Sequence, residues 1–179
     1  MKTLPSSLSI HRKLQSGFSL IETMVVIVLV SIAATVAIPS FRDSITRNNL
    51  AAAVNEFQLA LSQARSEAIR SRVNTVMQSV AKDDWTDGWV VYIDKNYNKV
   101  QDGTDGEVAV RAPMPKGMTV SDNGTTPGIF VFQSSGFSAF SGDGLAIRKI
   151  TFTMNDQSSS LCLSVAGRAR IIKGAGPCI

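Results

Sequence analysis

Near its N-terminus the chain carries an apolar run from Phe18 to Phe41 that contains one charged residue, Glu22. At 1.5 Å per residue, about 20 such residues in a helix span the roughly 30 Å hydrocarbon core of a bilayer. Residues 18–41 are therefore predicted to form a membrane-spanning helix. Because Arg12 and Lys13 precede the run without a compensating acid, the positive-inside rule places everything after Phe41 on the non-cytoplasmic side.

After Pro39 the apolar residues recur at spacings of three to five, with polar residues between them. This period predicts that an amphipathic helix continues over residues 42–72. Pro39 is expected to kink or interrupt the helix where the two halves meet. The predicted apolar stripe, which the rest of the chain must cover, consists of Ile45, Leu50, Val54, Phe57, Leu61, Ala64 and Ala68.

Over residues 73–179 the pattern changes to short, strand-like segments separated by clusters of Gly, Asn, Asp and Ser. Such a sequence predicts antiparallel sheets packed on the amphipathic helix, and hence an α+β fold with a β-rich head. The predicted strands cover residues 75–81, 88–94, 107–112, 118–121, 129–133, 146–154, 161–166 and 169–173.

Charge is unevenly placed along the 179 residues. Residues 1–17 hold three bases and no acid, so their removal would lower the formal net charge from +4 to +1. The C-terminal end of the head is basic, because only Asp156 opposes its cations, which are Arg148, Lys149, Arg168, Arg170 and Lys173.

The sequence offers little for catalysis. The single histidine, His11, lies ahead of the apolar run. The serines at 134, 135 and 158–160 have no recognisable base partner and are interpreted as polar loop residues. A histidine-based nucleophile or zinc cluster is therefore not expected in the head, and we predict a protein without enzymatic activity, cofactor or small-molecule substrate.

Glu22 is the feature that neither a secretory signal nor a plain anchor explains, because a carboxylate within an apolar run costs several kcal/mol without a partner. The sequence Gly17-Phe18-Ser19-Leu20-Ile21-Glu22 resembles the processing motif of type IV pilins and type II secretion pseudopilins. The resemblance implies that a prepilin peptidase removes a leader, residues 1–17, by cutting after Gly17, and methylates Phe18. It also implies that Glu22 pairs with the terminal amine of a neighbouring subunit during assembly.

The head adds a second resemblance. Trp85 and the segment 88–94, which is followed by an Asn/Asp-rich hairpin, are similar to the GspH/FimT branch of pseudopilins and minor pilins. In that branch three roles are open. The first role is a FimT-like minor pilin that binds DNA, the second is a structural or priming minor pilin of the FimU kind, and the third is a pseudopilin H of type II secretion. All three imply other pilins as partners and a single-pass location in the bacterial inner membrane with the head in the periplasm.

Near the C-terminus, Arg168 and Arg170 are two residues apart, so in a strand they project from one face and form a fork for phosphate. A solvated hairpin is the alternative. Together with Gly167 they resemble the GRxR motif of FimT-type minor pilins, some of which bind DNA for natural transformation. The resemblance implies sequence-independent DNA binding; Lys173, Arg148 and Lys149 join the predicted site on charge alone.

Two further features concern stability and metal binding. Cys162 and Cys178 are predicted to form a disulfide if the head lies in an oxidising compartment, and otherwise remain free thiols. The loop from residue 94 to 105 has the spacing of a calcium-binding loop, although a polar hairpin rich in turn residues explains the same composition. Its potential ligands are Asp94, Asn96, Asn98, Asp102 and Asp105.

Overall fold

The computed structural model of the chain describes residues 17–124, 126–139 and 147–178. These residues form one long helix followed by two antiparallel sheets, which confirms the predicted α+β fold. The elements are α1 (Leu20–Ser71), β1 (Thr75–Ala81), β2 (Asp84–Ile93), β3 (Gly106–Arg111), β4 (Met118–Asp122), β5 (Ile129–Phe132), β6 (Ser138–Ala139), β7 (Arg148–Met154), β8 (Gln157–Leu163) and β9 (Ala169–Lys173).

The chain divides into two compact units between Phe41 and Arg42. In the first unit α1 exposes its apolar side chains, and it contains an 18-residue window of mean hydropathy 2.5, long and apolar enough to cross a membrane. Pro39 lies inside α1 and does not end it. A proline removes one backbone donor, and the many remaining hydrogen bonds of this long helix continue on both sides.

In the second unit the buried stripe of α1 forms the centre of the hydrophobic core. Phe57 is fully buried and makes edge-to-face contacts with four aromatic rings of the sheets, with ring centroids 5.0 to 6.0 Å apart. Ile45 is the exception to the predicted stripe, since it is 46% exposed. The buried stripe residues are Leu50, Ala53, Val54, Phe57, Ala60, Leu61, Ala64 and Ala68.

The two sheets have different orders. The first, sheet A, has the order β3-β2-β1-β5-β6, and the second, sheet B, has the order β4-β7-β8-β9. Strand alternation places Trp89 and Val91 of β2 in the main core. Val90 and Tyr92 belong to a smaller apolar cluster with residues of β1 and β5. Sheet B contributes Ile150, Phe152, Leu161 and Leu163 to the main core.

Candidate nucleic-acid interface and N-terminal motif

The two C-terminal arginines lie on the hairpin that joins β8 to β9, which we call the arginine hairpin (residues 164–170). The turn is closed by two backbone hydrogen bonds, from Ser164 N to Arg168 O at 3.0 Å and from Gly167 N to Ser164 O at 2.8 Å. The amide of Arg168 also donates to Ser164 Oγ at 3.3 Å. Arg168 is thus fixed just before β9, and Arg170 follows within the strand.

Arg168 and Arg170 are both exposed and line one depression of about 190 Å³ in the surface of sheet B. The structure therefore brings these two predicted site residues together on one face. The depression is also lined by Ile147, Cys162, Ser164 and Cys178.

Gly167, the first residue of the GRxR motif, is buried within the turn of the hairpin. Its φ of +71° lies in the left-handed region, which favours glycine. A Cβ at this position would lie 2.5 Å from Gly136 O and 3.0 Å from Arg65 Nε. Gly167 therefore shapes the hairpin and allows close packing beneath it, while the two arginines carry its charge.

The hairpin is attached to β6, and both the hairpin and the turn before β6 are attached to α1, where Gln58 donates to Ala169 O at 3.2 Å. Ser138 donates from its amide to Val165 O and from its hydroxyl to Ser164 O, both at 2.9 Å. Arg65 of α1 donates from Nε to Gly136 O at 2.9 Å. Arg65 was not among the predicted site residues, because the helical pattern marks it only as a polar position far along the chain from the motif.

Neither lysine of the predicted site lines the depression that Arg168 and Arg170 share. Lys149 shares the outer face of sheet B with Arg170, because it lies opposite Cys162, which in turn lies opposite Arg170. Its ammonium donates to Ala175 O at 2.6 Å. Lys173 is exposed at the end of β9 and, by strand alternation, points to the opposite face from Arg170.

Arg148 does not belong to the interface, and its assignment to the site was wrong. The residue is 5% exposed, and its guanidinium pairs with both oxygens of Asp122 at 2.8 and 2.5 Å. It also donates to Ile129 O at 2.5 Å and Thr126 O at 2.8 Å, and it lies 4.0 Å from the ring centroid of Phe130. The charge of Arg148 is neutralised inside the head and is not available to phosphate.

Asp122 is the centre of this buried network. Its carboxylate also accepts hydrogen bonds from Trp85 Nε1 at 3.1 Å and from Gly124 N at 3.0 Å. Burial acts to raise the pKa of Asp122, but the hydrogen bonds and charge of Arg148, with the two further donors, outweigh burial and lower that pKa. The carboxylate is therefore held ionised beside the arginine.

The predicted disulfide between Cys162 and Cys178 is present, with Cα atoms 5.7 Å apart. It attaches the C-terminal tail to the outer face of sheet B. The tail is held as well by hydrogen bonds from Ser160 Oγ to Gly174 O and from Gly174 N to Ser158 O, both at 2.9 Å.

The loop of residues 94–105 uses its polar side chains in turns. Both oxygens of Asp94 accept backbone N–H groups, from Asn98 and Lys99 at 3.1 Å, and Asp105 accepts those of Lys95 and Asp102. Hydrogen bonds from the hydroxyl and amide of Thr104, then from Asn96 and Asn98, lower the pKa of Asp102 to about 2. Within the described ranges, no three His, Cys, Asp or Glu residues form a group that could hold a metal ion.

At the N-terminus of α1, Ser19 acts as a helix cap that was not predicted. Its hydroxyl accepts the backbone N–H of Glu22 at 3.3 Å, and Glu22 lies in the first turn. The order Ser-x-x-Glu is the sequence signal of such a cap, and an acid there also favours the helix dipole. Phe18 is 82% exposed, and among the described residues a Cβ added to Gly17 would meet no atom within 4 Å.

Comparison with known proteins identifies the family. The family model of the type II transport protein GspH matches residues 53–168, and that of the prokaryotic N-terminal methylation motif matches residues 12–38. The chain belongs to the GspH family of minor pilins and pseudopilins. Members of this family associate with other pilins in a fibre. A fimbrial protein of Pseudomonas aeruginosa is 34% identical over 110 residues, which are 58% of this chain and 71% of the relative.

Two solved structures share the fold of this GspH-family chain. The type IV minor pilin FimU of Pseudomonas aeruginosa has a TM-score of 0.58 and 21% identity, with 70% of this chain and 90% of FimU covered. The minor pseudopilin EpsH of the Vibrio cholerae type 2 secretion system has a TM-score of 0.50 and 15% identity, with 72% of this chain and 99% of EpsH covered. The apolar helix and the methylation motif fit a membrane-anchored pilin.

Proposed function

We propose that the protein is a FimT-like minor pilin that binds DNA without sequence preference and serves DNA uptake in natural transformation. The observation that carries this proposal is the exposure of Arg168 and Arg170 side by side in one depression, on a hairpin fixed by Gly167. The head would face the periplasm, and the first unit would anchor the chain in the inner membrane before assembly.

Two guanidinium groups on one face suit phosphate, because each offers planar, paired N–H donors. In the described part of the chain the only helix is α1, whose second half is packed against both sheets, so no separate helix is available to read a major groove. The expected contacts are therefore to the backbone of DNA. Binding of this kind weakens with salt, and log K falls by about 0.9 per neutralised phosphate against log salt concentration.

Replacing both arginines with alanine tests the proposal. In the chain purified in a nonionic detergent, we expect R168A/R170A to bind DNA with a shallower dependence of log K on log salt concentration. The magnitude of this slope, called the salt slope below, should fall by about two units. The measurement is a titration of fluorescent duplex DNA by anisotropy at several salt concentrations. The double variant K82A/K95A removes the same charge from two other exposed positions and should leave the slope near that of the parent. An unchanged salt slope in R168A/R170A would show that Arg168 and Arg170 do not contact the DNA.

The N-terminal motif supports a second part of the proposal. We infer that a prepilin peptidase cuts after Gly17 and methylates Phe18, and that Glu22 pairs with this amine of a neighbouring subunit. Because a Cβ at Gly17 would meet no atom of the described residues, their packing does not require a glycine there, which fits recognition by a peptidase. Mass spectrometry of the purified protein should find N-methylated Phe18 as the first residue, and E22A should lower incorporation into fibres. Another first residue would contradict the processing.

The alternative role is a structural minor pilin or a pseudopilin of type II secretion. The match to the GspH family over residues 53–168 favours it as much as it favours a DNA-binding minor pilin. A parent chain that shows no salt-dependent affinity for DNA, yet is processed and incorporated into a fibre, would support this alternative.

A further inference from the structure

We propose that Arg65 of α1 is a third phosphate-contacting residue of the interface, placed against Gly167 of the motif by the fold. This inference rests on the proposed DNA binding and extends its site to the helix. It follows from the packing around Gly167 and from the hydrogen bonding of Arg65.

The side chain of Arg65 lies against the backbone of the GRxR motif. Arg65 Nε lies 3.0 Å, and its Cδ 3.1 Å, from where a Cβ of Gly167 would be, so the side chain runs directly past the backbone of the motif. Arg168 is the next residue in the chain and is exposed. Only a glycine leaves this passage open. The glycine of the motif thereby brings a cation from α1 to the base of the arginine hairpin.

Among the described residues, the guanidinium of Arg65 is held by one of its nitrogens only. A guanidinium has five N–H donors, and the Nε donor of Arg65 is used by Gly136 O at 2.9 Å. Across the described ranges, its two terminal nitrogens make no hydrogen bond or ion pair, and the nearest acid along α1, Glu67, is paired with Arg70 at 2.5 Å. Arg65 is half-buried, so its stem is held while the terminal N–H groups remain for an anion.

The geometry explains why an arginine suits this position. The Nε bond to Gly136 O fixes the plane of the guanidinium, which lowers the entropy lost when the terminal pair of N–H groups meets a phosphate. A lysine would supply the same charge without this anchor. The competing explanation is that Arg65 only supports the turn at Gly136, and the two explanations predict different salt dependence.

The experiment compares R65Q, R65K and R70A in the chain purified in a nonionic detergent, with duplex DNA titrated between about 50 and 200 mM salt. R65Q should reduce the salt slope by about 0.9 and weaken binding on the order of fivefold to tenfold near 0.1 M salt. R65K should keep the slope of the parent, because the charge remains. R70A is the matched helical control and should leave the slope unchanged, since Arg70 is paired with Glu67.

Each outcome has a distinct meaning. A parental slope in R65Q overturns the inference, and so does an equal loss of slope in R65Q and R65K, which would assign Arg65 to support of the Gly136 turn. If R65Q keeps the slope while R168A/R170A loses it, the inference fails and the proposed function stands. If neither variant changes the slope, the proposed function fails as well. Near-ultraviolet circular dichroism verifies that each variant is folded.

Discussion

Sheet B contains two neighbouring rows of side chains that cross β7, β8 and β9 and point to opposite faces of the sheet. Register aligns Arg148, Leu163 and Ala169 in one row and Lys149, Cys162 and Arg170 in the next. The first row faces the core, and the second faces outward. Because alternate residues of a strand point to opposite faces, a shift of one position separates a buried structural arginine from an exposed one.

The comparison shows that a count of cations does not locate a binding surface. Arg148 is tolerated in the inner row because Asp122 and the carbonyl groups of Thr126 and Ile129 use its donors. Gly124 leaves room for it, since a Cβ there would collide with the guanidinium. Arg168 and Arg170 lie at the solvent-facing depression instead.

The largest effect is expected from removing the partner in the inner row. D122A leaves a buried guanidinium without its counter-charge, and breaking a buried pair in this way costs about 3–5 kcal/mol. We expect this loss in the free energy of unfolding of a fragment covering residues 42–179, which contains the whole hydrophobic core, measured in urea at neutral pH.

The matched control is the double variant D122L/R148M, which removes both charges and should be less destabilised than D122A. The pH dependence provides a second check. Since the pKa of Asp122 is lowered in the folded state, its contribution is fully present above the pKa of an unfolded aspartate and is lost as pH falls through the folded value. The difference between parent and D122A should shrink in acid, and a difference independent of pH would contradict this account.

In the outer row the corresponding prediction concerns the disulfide. Cys162 and Cys178 are 16 residues apart, and closing a loop of about this size stabilises a protein by about 3 kcal/mol in the chain-entropy model. The variant C162S/C178S should lose stability of this order in urea unfolding of the same fragment. A reducing agent should lower the stability of the parent and leave the variant unchanged. A loss of stability below about 1 kcal/mol would contradict this estimate and show that the disulfide constrains the unfolded chain little.

Much of the fold was predictable because local pattern and tertiary packing agree. The period of three to five after Pro39 predicted the stripe around Phe57, and β1 and β9 have the bounds expected from their sequences. Ile45 was predicted inside and is 46% exposed, because its neighbour Thr46 occupies the buried side of the helix instead and accepts a hydrogen bond from Asn155 at 3.1 Å.

The incorrect predictions concern residues whose structure depends on pairing with another strand or on contacts with distant segments. The serines at 158–160 were interpreted as loop residues, but they belong to β8, where pairing with β7 holds them in extended backbone. The two-residue strand β6 was not predicted, since it depends on pairing with β5. In the site, the shared face of Arg168 and Arg170 was predictable from their spacing of two residues. The burial of Arg148 and the approach of Arg65 depend on contacts with distant segments, which no local pattern records.

The smallest effect is expected from Lys149, the outward neighbour of buried Arg148. Its ammonium is occupied by Ala175 O at 2.6 Å, so K149A should lose about one hydrogen bond, on the order of 0.5–1.5 kcal/mol of stability. We expect its DNA affinity to stay within about twofold of the parent, because a bound phosphate would have to displace the tail carbonyl from Lys149. Anisotropy titrations of K149A beside R168A/R170A provide the measurement. A decrease of about 0.9 in the salt slope of K149A would place Lys149 in contact with phosphate and extend the interface along the whole outer row.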